Sequence, residues 1–232
     1  MGLPKIQQPL FELVVPSTEQ KVKYRPFVVK EEKILLVAQE SKDFDQVVLA
    51  IKQIVNNCME GVDVDELAMF DLEYVLINIR AKSVNNEFKF TIKDPDSKET
   101  VELSVDIEDI KVQKDPNHNK MIRVNDDITL MMKYPSLDQL KMLNGTKSKA
   151  AGQIDVMLSC IDKVVSGDQI YNLADFSKEE VEEFLDSFTN ENVMAIKTFF
   201  DTMPVLRYEK NYTLKDGTEK KIVMQGTETF FI

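Results

Sequence analysis

Residues 87–107 read EFKFTIKDPDSKETVELSVDI, two alternating segments on either side of a polar turn. From Glu87 to Ile92, and again from Val101 to Ile107, apolar and polar residues alternate with the two-residue period of a half-buried strand. The residues between them, 94–98, are Asp-Pro-Asp-Ser-Lys. Proline fixes φ for a turn, and Asp and Ser side chains bond to their own backbone, so this segment predicts an antiparallel hairpin.

Further strand patterns lie on both sides of this hairpin. Residues 120–134 carry alternating apolar residues, and we expect them to join the hairpin in an antiparallel meander of three or four strands. Residues 11–16 and 21–29 predict a small hairpin near the N-terminus. Residues 206–231 predict a terminal hairpin around Asp216-Gly217, a dipeptide typical of a type I′ turn.

Helical segments separate these β regions. Apolar residues at three- and four-residue spacing predict helices at residues 30–39, 46–58, 66–82, 136–144, 154–167, 177–188 and 190–200. In the third of these, the stripe that includes Phe70 and Tyr74 is expected in the core. Ser177-Lys-Glu-Glu180 has the pattern of a capping box, and Asn190 is the expected cap of the last helix.

The order of these elements predicts the fold class. A small β part, helices, an antiparallel sheet, helices and a terminal hairpin follow one another, and such segregated runs are typical of α+β proteins. The chain has 232 residues, which suits one large or two small domains. We expect a single domain over 1–232, which can be divided into a β, helix and sheet part at 1–134 and a mainly helical part with the hairpin at 135–232.

Composition and charge limit the function. The formal net charge is −11, which disfavours binding to phosphate backbones, so no nucleic acid partner is expected. The N-terminus lacks the apolar segment of a signal peptide, and no apolar run reaches the ~18 residues that span a bilayer. These features predict a soluble cytoplasmic protein without membrane insertion.

The residues needed for catalysis are scarce. The one histidine, His118, lies in a predicted turn, where a solvated side chain is expected rather than a general base. Cys58 and Cys160 fall on apolar faces and are expected to be buried and reduced. Neither metal-ligand spacing nor a glycine-rich phosphate loop occurs, so no metal and no cofactor are expected.

One cluster keeps an enzymatic alternative open. Asp106, Glu108 and Asp109 follow each other closely at a predicted strand end, and paired carboxylates can perform acid–base hydrolysis. A chain so rich in Asp and Glu produces such clusters by chance, so a solvated acidic face is the favoured interpretation. The hydrolase alternative requires the three side chains to line a concave pocket.

Several segments carry a family resemblance that extends over nearly the whole chain. They are Tyr24-Arg-Pro-Phe27, Glu31-Glu-Lys-Ile-Leu35, Ile51-Lys-Gln-Ile54 with Cys58, Phe70-Asp-Leu-Glu-Tyr74 through Arg80-Ala-Lys-Ser83, Phe199-Phe-Asp-Thr-Met-Pro204 and the Phe230-Phe231 end. In these the chain resembles the baseplate hub assembly family of T-even-like bacteriophages, the gene twenty-six product and its relatives. Relatives can carry a Cys-x-x-Cys pair, which this chain lacks.

The resemblance implies a non-enzymatic structural or assembly protein of a contractile-tail baseplate hub. Its partners would be other hub or tail proteins, met in the host cytoplasm during assembly and, if the protein stays in the particle, in the virion baseplate. The alternative within this class is an assembly chaperone absent from the mature virion. Phe230 and Phe231 place large apolar groups at the end of the sequence and are the candidate partner-binding residues, although burial in the core explains them equally well.

Overall fold

The computed structural model describes residues 6–41, 43–84, 86–137, 139 and 149–225. The helices are α1 Val29–Ser41, α2 Phe44–Cys58, α3 Met69–Ser83, α4 Lys149–Ser159, α5 Lys178–Asp186 and α6 Asn190–Thr202. The strands are β1 Phe11–Val14, β2 Lys21–Tyr24, β3 Met59–Glu60, β4 Glu87–Lys93, β5 Thr100–Asp106, β6 Lys111–Gln113, β7 Met121–Arg123, β8 Ile128–Met132, β9 Ile161–Ser166, β10 Gln169–Asn172, β11 Val205–Thr213 and β12 Glu219–Gln225.

The chain divides into two compact units. Unit 1 contains the described residues up to Gln113 and those from Val205 onward, and unit 2 contains the described residues of Lys114–Pro204. Unit 1 holds three sheets, with strand orders β1-β2-β3, β4-β5 and β12-β11-β6. Unit 2 holds one sheet, in the order β10-β9-β8-β7. The single domain predicted over residues 1–232, with its division near residue 134, stays a prediction.

Helix α3 supplies much of the core of unit 1. Ile77 and Ala81 pack in one buried cluster with Val105 of β5, Leu206 of β11 and Met224 of β12. Phe70 is buried and Tyr74 packs against this cluster, which confirms the predicted stripe. Burial of such side chains is the main favourable term in folding, at about 1.5–3 kcal/mol for each large apolar group.

Unit 2 packs helices against its antiparallel sheet. The core includes Leu130 of β8 and Ile161 and Val164 of β9, together with Ile196 and Phe199 of α6. Phe184 and Leu185 of α5 pack against it from their partly buried positions. One face of the sheet is therefore covered by helices, and strand β10 lies at an edge of the sheet.

The α+β class and the hairpin of residues 87–107 are confirmed. Strands β4 and β5 pair antiparallel from Glu87↔Asp106 to Lys93↔Thr100. The grouping of strands differs from the prediction: this hairpin forms a two-stranded sheet of its own, whereas β7 and β8, within residues 120–134, pair with β9 and β10. Alternation predicts that a segment is a strand, but it carries no information about the partner that the strand selects.

The helix predicted over residues 154–167 is wrong beyond Ser159. The chain forms β9 from Ile161, then turns at Gly167 and Asp168 into β10. Gly167 has φ +58, and a glycine at the first central position of a two-residue loop suits a hairpin. Ile161 and Val165 fit a helical spacing too, but β-branched residues pair well in a strand, and pairing with β8 prevails.

The predictions for the helix caps and for the terminal turn are confirmed in part. The capping box of Ser177 and Glu180 at the start of α5 is confirmed. The cap of α6 is Thr189 rather than Asn190, and Thr189 forms a second capping box with Asn192. The terminal hairpin is confirmed as far as Gln225, but its turn is not type I′, because Gly217 has positive φ and Asp216 does not.

Candidate functional site

Two of the three carboxylates of the hydrolase alternative have structural roles at the exposed end of β5. Asp106 accepts a hydrogen bond from the backbone N–H of Glu108 at 3.0 Å and so caps the short helical turn of residues 107–109. Glu108 accepts from Lys82 at 3.2 Å and from Asn86 at 3.1 Å. Asp106, Glu108 and Asp109 are all exposed. This geometry gives the hydrolase alternative no support.

His118 is not the solvated turn residue that the sequence predicts. Its ring is partly buried in unit 2, 5.5 Å from the ring centre of Tyr134 and 5.0 Å from that of Phe199. Nδ1 lies 3.0 Å from Oγ1 of Thr202, and Nε2 lies 3.0 Å from the hydroxyl of Tyr134. Burial, together with nearby Lys120, lowers the pKa of His118 below its ordinary value. The imidazole is thus a packed, hydrogen-bonded component of the core edge.

Both cysteines are buried free thiols, as predicted. Burial raises the pKa of Cys58 to about 11 and that of Cys160 to about 11. A thiol reacts as its thiolate, so these two are protonated and unreactive at neutral pH.

An ionic cluster is buried in unit 1 where two hairpins meet. Asp94 is fully buried at the turn of β4 and β5, and its carboxylate accepts from the backbone N–H of Ser97 at 2.7 Å. It also accepts from the hydroxyl of Tyr212 on β11 at 2.8 Å. Lys220 of β12 completes the cluster as an ion-pair partner. The contacts of Asp94 with Tyr212 and Lys220 hold the two hairpins together, so the cluster is structural.

Four of the segments that carry the family resemblance, those between Tyr24 and Ser83, lie in unit 1. Arg25 donates from its guanidinium to Glu31 at 3.0 Å and from its backbone N–H to the carbonyl of Cys58 at 2.8 Å. Phe27 donates its backbone N–H to the hydroxyl of Ser83 at 2.8 Å. These contacts join the segment after β2 to α1, α2 and α3 and so help to hold unit 1 together.

Unit 2 contains an open apolar groove beside its edge strand, here called the β10 groove. Its volume is about 370 Å³. The sheet side is lined by Ile128, Val164 and Tyr171. Val164 pairs with Tyr171 across β9 and β10, so their side chains lie on one face of the sheet. The opposite side is lined by Leu173, Phe176 and Phe184.

Two aromatic residues of the β10 groove remain partly open to solvent. Tyr171 is 37% exposed and Phe176 is 41% exposed, and their ring centres are 6.1 Å apart. Concave apolar surfaces with few polar groups are where proteins bind ligands or partners. Sequence reasoning missed this groove, because it placed residues 161–167 in a helix and assigned no surface to residues 169–176.

The segment that forms most of the β10 groove is rich in acidic residues. Residues 160–191 contain nine acidic and two basic residues, so this segment carries −7 of the net charge of −11. Glu180 lines the groove and is held in the capping box of α5. Asp168 and Glu183, near lining residues in sequence, are exposed. An apolar surface within an acidic segment is complementary to an apolar peptide with basic flanks.

Three further predictions concern partner binding, metal binding and membrane insertion. Phe230 and Phe231, the candidate partner-binding residues, lie outside the described residues. Among the described residues, no three His, Cys, Asp or Glu side chains form a group that could hold a metal ion. Within the same residues, no helix is long and apolar enough to cross a bilayer.

Comparison with known proteins supplies the class. A family model described as T4 bacteriophage base plate protein matches residues 8–232, nearly the whole chain. The protein is therefore a member of the class of bacteriophage tail baseplate proteins. It belongs to the T4 bacteriophage base plate protein family, which confirms the T4-like resemblance of the sequence. No curated protein and no solved structure gives a significant match.

Proposed function

We propose that this chain is a non-enzymatic structural or assembly protein of the baseplate hub, and that it acts through contacts with other hub or tail proteins. The observation that carries the proposal is the β10 groove, an apolar surface left open in unit 2. A baseplate protein acts by associating with neighbours, and such a groove provides burial for an incoming apolar segment.

The use of polar side chains elsewhere supports a non-enzymatic role. Asp94 and Glu31 are buried in ion pairs, and His118 is held between two hydroxyls. Catalytic acids and bases need access to a substrate, and these groups have structural partners instead.

The association is tested by recovering the tagged chain from infected cells and identifying co-purified proteins by mass spectrometry. We expect hub proteins to be enriched over a mock purification from cells infected with untagged phage. If no tail protein is enriched, the proposed function is wrong.

Mass spectrometry of purified particles separates the hub subunit from the assembly chaperone. We expect the chain at a fixed ratio to other baseplate proteins. Its absence from particles, together with enrichment in the infected-cell purification, would favour the chaperone.

The hydrolase alternative is tested with one variant that combines Asp106→Asn, Glu108→Gln and Asp109→Asn. We expect phage yield to be unchanged, because all three replaced carboxylates are exposed, Asp106 caps one short turn and Glu108 pairs with nearby side chains. A large loss of yield from a variant that is folded and assembled into particles would revive the alternative.

A further inference from the structure

Strand β10 is an edge strand, and its Tyr171 lines the β10 groove. In the sheet order β10-β9-β8-β7 it pairs only with β9 among the described strands. All four of its residues, Gln169–Asn172, are exposed. The free side of an edge strand presents backbone N–H and C=O groups that pair readily with an additional strand.

Apolar side chains occupy both faces of this edge. Ile170, which is 62% exposed, lies on the face opposite to Tyr171, because successive residues of a strand alternate. Tyr171 faces the groove. A strand added beside β10 would therefore bury apolar side chains on its two faces at once, one set towards the groove and one beside Ile170.

The charge around the edge selects the flanks of such a strand. Asp168 directly precedes β10, Asp175 lies three residues beyond the strand, and Glu183 follows on α5. All three are exposed and acidic. They attract a segment with Lys or Arg at its ends and repel phosphate backbones. They also disfavour a second copy of this chain, which would bring the same acidic surface.

We propose that the β10 groove binds an extended apolar segment with lysine or arginine flanks, which pairs with β10 as an added strand. The segment belongs to another baseplate protein, and that assignment alone rests on the proposed function. The binding chemistry follows from the free edge, the groove and the exposed acidic residues before and after β10.

The test begins with selection of random displayed peptides on the full-length chain. We expect enriched peptides to contain an apolar core with basic flanks. Fluorescence anisotropy with the most enriched synthetic peptide should show binding that weakens as salt rises, because the flanking charges are screened. Selection without enrichment, or enrichment without basic flanks, would overturn the proposal.

Two pairs of variants locate the binding. Phe176→Glu should weaken binding of the selected peptide by about tenfold or more, since it places a charge in the groove. Met194→Glu alters another exposed apolar residue of unit 2 and should leave binding unchanged.

The second pair of variants tests the acidic residues. The double variant Asp168→Lys with Glu183→Lys should weaken binding of the selected peptide by about tenfold. Its control, Glu12→Lys with Glu102→Lys, makes the same charge change on exposed residues of unit 1 and should leave binding unchanged. Equal effects of test and control variants would contradict the proposal.

Hydrogen exchange determines whether the peptide adds as a strand. The peptide should slow exchange of backbone amides in Gln169–Asn172, and unchanged exchange there would rule out strand addition. These measurements use the purified chain alone. Peptide binding without hub proteins in the infected-cell purification would reject the proposed function only, and the reverse result would reject this inference only.

Discussion

Lys220 donates to both carboxylate oxygens of Asp94, at 2.9 Å and 2.8 Å, although the two residues are 126 positions apart in the sequence. The hydrogen bonds from Lys220 and Ser97 hold the pKa of Asp94 well below its ordinary value. Proton binding is therefore weaker in the folded than in the unfolded chain. The pair contributes stability above pH ~4, the ordinary pKa of an Asp, and loses it as the pH falls further.

We expect Lys220→Met to destabilise the protein strongly at neutral pH, because Asp94 remains buried without its cation. The loss relative to wild type should shrink as the pH falls below ~4, where Asp94 can bind a proton in the variant. Urea unfolding of both proteins from neutral to acidic pH measures this. Lys221→Met, on the same strand but half exposed, is the control and should have a small effect at every pH. A loss that stays constant with pH would contradict the role of the ion pair.

Glu31 provides a second buried carboxylate with a different geometry. It is 1% exposed, accepts from Arg25 at 3.0 Å, and accepts from the backbone N–H of Val28 at 3.0 Å at the start of α1. Burial opposes ionisation, but these hydrogen bonds outweigh it and lower the pKa of Glu31. We expect Glu31→Gln to reduce the free energy of unfolding by about 1–3 kcal/mol. Glu32→Gln, an exposed neighbour, should change it by less than about 0.5 kcal/mol in the same denaturation experiment.

The tautomer of His118 follows from its neighbours. The hydroxyl of Thr202 donates to the carbonyl of Thr198 at 2.8 Å, so it accepts from His118 and Nδ1 must carry the proton. Nε2 then accepts from the hydroxyl of Tyr134. Nitrogen chemical shifts of the one imidazole in the chain should report this tautomer. Shifts typical of a protonated Nε2 would contradict the assignment.

The lowered pKa of His118 predicts a pH effect on stability. Protonation is easier in the unfolded chain, so the folded state should lose stability as the pH falls below ~6.5, the ordinary value. The histidine NMR signal should titrate with a midpoint below that of a model peptide. Tyr134→Phe removes the donor to Nε2 and should raise the pKa, provided that near-ultraviolet circular dichroism shows intact packing.

The positive φ angles at two hairpin turns predict substitutions with opposite effects on the free energy of unfolding. Lys98 has φ +60 without being a glycine, and Gly217 has φ +86. Lys98→Gly should increase the free energy of unfolding by up to about 1 kcal/mol, because the left-handed region costs a non-glycine residue about 1–2 kcal/mol. Gly217→Ala should decrease it by about 1 kcal/mol. A Cβ at position 217 would meet no atom within 4 Å, so this loss would report the backbone alone. Thermal unfolding checks both signs.

Local chemistry explains which elements the sequence predicted. The β4–β5 hairpin and the capping box of Ser177 depend on residues close together in the chain, so their patterns sufficed. The partner of Asp94 could not be predicted, because nothing near the turn points to Lys220. Strand β9 was missed because Ile161 and Val165 fit both periods, and the choice depends on pairing with β8.

The candidate site was harder to predict than the fold. Tyr171 and Phe176 lie on a short strand and in a loop, where no periodicity marks a surface. A signal was present in the acidic residues around these two aromatic side chains. The groove itself depends on how α5 packs over the sheet, which only tertiary structure provides.

Gln113 at the end of β6 pairs with Val205 at the start of β11, so the polypeptide leaves unit 1 and re-enters it at adjacent positions. During synthesis the ribosome must complete residues 114–204 before β11 and β12 emerge, a delay of roughly 5 to 18 seconds at bacterial elongation rates. Throughout that interval the nascent β6 lacks its neighbour and Val105 and Ile77 lack the cover of Leu206 and Met224. The insertion thus sets a vectorial order of folding, with the inserted unit able to form first on the emerging chain and the discontinuous unit closing last.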